Sequence, residues 1–145
     1  MRLNAHLAVL VGAMIAADAR PAWGQTDARG WLSDAQTCVL ARSVNARPKR
    51  LPELDCEAQS LAKAPSIAHP EWFAPYQLIA PDATGSVNRG FYAVNRITAD
   101  TWELTLCKHV SSATIRRAHS QLQRKSSLSP AEWRRAARQR PCEVV

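Results

Sequence analysis

The sequence predicts an α+β domain stapled by disulfides: an N-terminal helical hairpin, a small antiparallel sheet and two C-terminal helices. Three observations carry this. Apolar residues recur at helical spacing from Trp31 to Lys63, alternate at period two between Gly90 and His109, and return to helical spacing after Ser111. Four cysteines, Cys38, Cys56, Cys107 and Cys142, each stand alone in the chain. No alternation of strands with crossover helices is present, so a parallel sheet is not expected.

The first segment reads as an export signal. Arg2 supplies a positive start, and Leu7 to Ala17 is an unbroken apolar run. A bilayer span needs about 20 apolar residues, so this run matches the core of a signal peptide instead. Small-residue cleavage sites follow at Ala17-Asp18-Ala19 and Ala22-Trp23-Gly24. Pro21 breaks the apolar helix and favours cleavage after Gly24. Residues 1–24 are therefore expected to be a signal peptide, and 25–145 a single small exported domain. A buried N-terminal helix is the competing reading and does not account for these flanks. No cysteine near either site can accept a lipid, and no Asn-x-Ser/Thr acceptor occurs. The expected location is the periplasm or the exterior of a bacterial cell.

The elements follow in order. Ser33 and Gln36 form a capping pattern that starts a helix fading near Asn45. Trp31, Leu32, Ala35, Cys38, Val39 and Arg42 fall at its inward spacing. Pro52 suits the first turn of a second helix running to about Lys63. Pro65, Pro70, Pro75 and Pro81 then argue against one long element, with a single helical turn expected at Pro70-Glu71-Trp72. Trp72, Phe73 and Tyr76 read as core residues. Gly90–Thr98 and Thr101–His109 read as two strands reversing at Ala99-Asp100, with Gln77–Ala80 as a possible edge strand. On the second strand Trp102, Leu104 and Leu106 share one face.

Ser111 or Ser112 caps the next helix, whose inner stripe is Ile115, Ala118 and Leu122. The last helix carries Ser129 as N-cap, Pro130 at the first position and Glu132 closing a capping box. Leu128 and Trp133 form a hydrophobic staple across that start, and Pro141 ends the helix.

An even number of cysteines in an exported chain reads as two disulfides. Zinc is the alternative, but it favours closely spaced pairs such as Cys-x-x-Cys. Of three possible pairings, Cys38–Cys56 with Cys107–Cys142 closes the shorter loops and is preferred.

Charge is unevenly spread. Residues 25–107 hold eight basic and nine acidic residues, whereas 108–145 hold nine basic and two acidic. Seven of those nine cations are arginine, which grips carboxylates and phosphates better than lysine. The expected partner-binding residues are Arg116, Arg117, Arg124, Lys125, Arg134, Arg135, Arg138 and Arg140, on the outer faces of the last two helices. A solvated face kept for solubility is the alternative. The partner expected is an acidic protein or an anionic envelope component. Nucleic acid ranks last, because the only aromatic among these arginines, Trp133, is committed to the core.

No Ser-His-Asp arrangement, nucleophile elbow, Gly-rich phosphate loop or metal-ligand spacing is identified, and no cofactor is implied. The functional reading is a non-catalytic binding protein of inhibitor, immunity or secretion-accessory type. The alternative is a small secreted hydrolase or nuclease on an anionic substrate, using Glu103 with His109 or His119.

Overall fold

The computed structural model describes residues 26–45, 54–59, 61, 68–82 and 85–142. The expected signal peptide lies outside them. Three helices and five strands follow in the order α1 (Asp34–Asn45), β1 (Asp55–Ala58), a 3-10 turn (Pro70–Trp72), β2 (Phe73–Asp82), β3 (Gly85–Asn95), β4 (Thr101–Glu103), β5 (Lys108–Val110), α2 (Ala113–Lys125) and α3 (Pro130–Ala137). The strands form one antiparallel sheet in sequence order, β1-β2-β3-β4-β5. The class is α+β, with both disulfides paired as the loop lengths favour: Cys38–Cys56 and Cys107–Cys142.

Alternation along the strands divides the core. Ala74, Tyr76 and Leu78 of β2 and Tyr92 and Val94 of β3 meet Leu40 and Ala41 of α1, Ile115, Ala118 and Leu122 of α2, and Trp133 and Ala136 of α3. The other parity, Phe73 and Ala93, joins Trp102 and Cys107 in a smaller cluster completed by Leu61, Leu104 and Cys142. Period-two strand geometry sends neighbours to opposite faces, so the helices cover one face and the second disulfide helps to close the other.

The expected second helix is not present as such. Its middle, Asp55–Ala58, is β1, paired from Asp55↔Ile79 to Ala58↔Tyr76. Cys56, bonded to Cys38, holds this short strand beside β2, and the sheet overrides local helical preference. The N-terminal unit is therefore a helix and a strand, not a helical hairpin.

The proline-bearing segment also differs from expectation. Pro75 and Pro81 both lie within β2, an internal strand of ten residues rather than a short edge. In an antiparallel strand a residue's N and C=O point the same way. The Pro75 carbonyl accepts from the Gln59 N–H at 2.9 Å, so its nitrogen faces Gln59, just past the end of β1. Pro81 lies beyond the Asp55↔Ile79 end of the pairing with β1. Neither proline removes a donor from a continuous central ladder.

Thr101–His109 is a hairpin rather than one strand. The Glu103 carboxylate accepts from the N–H groups of Thr105 and Leu106, both at 2.9 Å, and Cys107 takes a left-handed φ of 47°. Leu106 consequently projects outward, 74% exposed, instead of joining Trp102. On the adjoining stretch of β3, where the Phe91 carbonyl accepts from Leu104 N at 2.8 Å, a Cβ on Gly90, at φ 121°, would lie 2.9 Å from the Tyr92 ring.

On α1 the inward residues are Thr37, Leu40 and Ala41, while Ala35 is exposed. Thr37 takes a core position because its hydroxyl bonds Ser33 O at 3.1 Å, Asp34 O at 3.0 Å and the Tyr76 hydroxyl at 2.8 Å.

Candidate functional site

The C-terminal helices are built as their caps dictate. Ser112 Oγ accepts from Ile115 N at 3.1 Å to start α2. Ser129 Oγ accepts from Glu132 N at 3.3 Å, and Glu132 accepts from Ser129 N at 2.8 Å, closing the α3 capping box. Trp133 and Ala136 are buried and Ala137 is half-buried. That leaves all eight expected partner-binding cations exposed: Arg116, Arg117, Arg124, Lys125, Arg134, Arg135, Arg138 and Arg140.

They border different features of the surface. Arg134, Arg135 and Arg138 line a shallow concavity with Gln139 on α3. Arg135 also borders, with Lys125, a second cavity of about 430 Å³ between the end of α2, the start of α3 and the 26–31 segment. Arg116, Arg117 and Arg124 line neither. Arg140 stands apart: its guanidinium lies 5.7 Å above the Trp102 ring, in the smaller cluster.

A second grouping escaped the sequence. Asp100 Oδ1 is 3.4 Å from His109 Nε2 and 3.3 Å from His119 Nδ1, while Oδ2 accepts from Thr98 Oγ1 at 2.7 Å. His119 also sits edge-on to Trp133, and His109 edge-on to Trp102. The hydrolase reading of the sequence pairs either histidine with Glu103, but Glu103 caps the hairpin turn and Asp100 is the acid they meet. No spacing rule joins residues 100, 109 and 119, which come from a turn, β5 and α2.

Burial pushes the Asp100 carboxyl up, but hydrogen bonds from His119 and Thr98 and the charges of both imidazoles outweigh it and hold the group below its ordinary value. The hydrogen bond to Asp100 raises His119, burial opposes it, and the carboxylate's charge adds to the rise. The signs define a window. The His119 contribution is complete below its unfolded value of 6.5 and is lost as pH rises through the higher folded value. The Asp100 contribution is complete above 3.8 and is lost as pH falls through the lower folded value. Thermal melts from acid to alkaline pH should therefore peak between these values. His119→Asn should flatten the alkaline limb; an unchanged limb would remove this pair from the stability balance.

Cys107-x-His109 offers no metal pair, since Cys107 is consumed by Cys142. Among the described residues no group of three His, Cys, Asp or Glu side chains is arranged to hold a metal ion. No helix among them is long and apolar enough to cross a membrane.

Together these residues define a disulfide-bonded α+β domain, with three helices on one face of a five-stranded meander and cationic C-terminal helices. No family model and no curated protein matches the sequence. Among solved structures, a chain in a structure described as a type VI secretion system effector–immunity complex from Pseudomonas protegens is similar. It is 20% identical, with a TM-score of 0.52 over 74% of this chain and 87% of that chain. The likeness is one of fold.

Proposed function

We propose that this chain is an exported, non-catalytic binding protein of the immunity type, docking an acidic protein partner through the cations of α2 and α3. The observation that carries this reading is the fold it shares with a chain of an effector–immunity complex. Two disulfides and the apolar leader suit the periplasm or the exterior, where such an encounter would take place. The exposed arginines supply a forked grip on carboxylates.

The test is coexpression in a bacterial host with each polypeptide encoded beside its gene, directed to the periplasm. One should be toxic, and this protein should restore growth and co-purify with it. Replacing Arg134, Arg135 and Arg138 with glutamine should weaken that complex about tenfold, the sum of three exposed pairs, without lowering the melting temperature. Unchanged affinity removes those arginines from the interface. The pairing of His109 and His119 on Asp100 favours one rival, a small secreted hydrolase. Turnover of RNA by the unaltered protein, lost in His119→Asn, would replace the binding reading with that one.

A further inference from the structure

The 430 Å³ cavity joins aromatic walls to a cationic border. Its size is within the range of sites that enclose a small ligand, and so it holds one large side chain with room to spare. The indoles of Trp31, Trp72 and Trp133 line it, with Arg29, Lys125 and Arg135 as its cations. The outer indoles are held in place: His69 stacks on Trp72 at 3.9 Å, and the Arg29 guanidinium lies 4.1 Å over Trp31 while pairing with Asp27 at 2.9 Å. Trp133 is buried from below by the core.

The charge balance is one-sided. Glu132 is the one carboxylate among the lining residues, and it is spent on Ser129, accepting from its N–H at 2.8 Å and its hydroxyl at 2.6 Å. Lys125 and Arg135 are exposed and form no ion pair among the described residues. The Ser129 hydrogen bonds, helped by the Arg135 charge, hold the Glu132 carboxyl below its ordinary value, and the border keeps an excess of positive charge. An occupant must offer apolar, preferably aromatic, surface to the indoles and negative charge to the border.

We propose that this cavity is the anchor site for the protein partner, taking one aromatic or large aliphatic side chain carried on an acidic segment. The proposal rests on the binding-protein reading above. Interfaces draw most of their energy from a few such buried anchors, while surrounding charges steer the approach and select the partner. Single-stranded nucleic acid also stacks on aromatics, but it requires a groove along which successive bases lie. Here the three indoles surround a single concavity.

The probe is a capped heptapeptide with one phenylalanine flanked by aspartate and glutamate. Its controls are the same peptide with alanine at the centre, a lysine-flanked counterpart and oligo-dT. The indole N–H signals of Trp31, Trp72 and Trp133 should shift saturably with the acidic phenylalanine peptide, while Trp102 stays still. The alanine peptide should bind at least about fivefold more weakly. The double variant Lys125→Glu, Arg135→Glu changes only exposed side chains and should keep the melting temperature. It should lose about tenfold in affinity for the acidic peptide and gain binding of the lysine-flanked one.

Absence of indole shifts, equal shifts with both flanking charges, or tighter binding of oligo-dT would each overturn the proposal. If the charge preference inverts but no neighbouring polypeptide is neutralised, the anchor stands and the immunity reading falls. If growth rescue survives the double variant at full strength, the anchor falls and the immunity reading stands.

Discussion

Replacing Cys107 and Cys142 together with alanine should destabilise the protein by about 4 kcal/mol, the loop-closure entropy of a link this long. The bond spans 35 residues, against 18 for Cys38–Cys56, whose loss should cost about 3 kcal/mol on the same scale. Position adds to length. Cys107 sits at a left-handed φ in the β4–β5 turn and belongs to the smaller cluster with Phe73, Ala93 and Trp102. Cys142 follows α3, which has only eight residues and is too short to persist without tertiary support. Opening the bond therefore releases the helix that carries Arg134, Arg135 and Arg138, and loosens the Trp133 wall of the cavity. Urea unfolding of the two alanine pairs measures both losses. A cost under about 1 kcal/mol for the 107–142 pair would show that packing alone secures α3, contrary to the chain-entropy expectation.

Asn95→Ala should cost about 3 kcal/mol, because it strands two buried N–H groups at once and removes a bond to α3. The side chain is fully buried at the end of β3. Its Nδ2 donates to the Ala136 carbonyl at 3.0 Å, and its Oδ1 accepts from the N–H groups of Ile97 at 2.9 Å and Thr98 at 3.2 Å. One amide thus orders the β3–β4 turn and ties it to α3. The same turn contains Ala99 at a left-handed φ of 67° and presents Asp100 to both histidines. Alanine leaves two donors without partners and removes one of the donors to the Ala136 carbonyl, which still accepts from the Gln139 N–H at 3.2 Å; aspartate keeps the acceptors but sets an oxygen against that carbonyl. Both variants should lower the urea midpoint and expose the Ile97 and Thr98 amides to hydrogen exchange. Full retention of stability by Asn95→Ala would mean that the turn is organised without its side chain.

Local signals were legible where a helix end announces itself. Ser33 with Gln36, Ser112, and Ser129-Pro130 with Glu132 start the three helices as their side chains require. Ile115, Ala118 and Leu122 form the buried stripe of α2 because 3.6-residue spacing alone defines it. Local spacing misleads where a distant partner intervenes. Asp55–Ala58 is a strand only because β2 and Cys38 lie beside it. Pro75 and Pro81 fit an internal strand only because β1 is too short to require their missing donors. The run from Thr101 to His109 bends because Glu103 caps a turn closed through Cys107. Thr37 replaces an apolar residue in the core of α1 because Tyr76 arrives to bond it.

What the amino-acid order determined unaided is what short-range chemistry controls: the caps, the helical stripes, the concentration of cations after Lys108 and the preferred pairing of four isolated cysteines. Each of these depends on neighbours a few residues apart or, for the sulfurs, on the entropy of closing the smaller loops. The sorting of the arginines was decided only by tertiary structure, which set Arg134, Arg135 and Arg138 around one hollow, Lys125 and Arg135 around another, and Arg140 over Trp102. So was the meeting of Asp100, His109 and His119, and of three indoles around one cavity. These groups come from separate elements, and their distances depend on how helices dock on a sheet, an outcome of packing that no sequence spacing encodes.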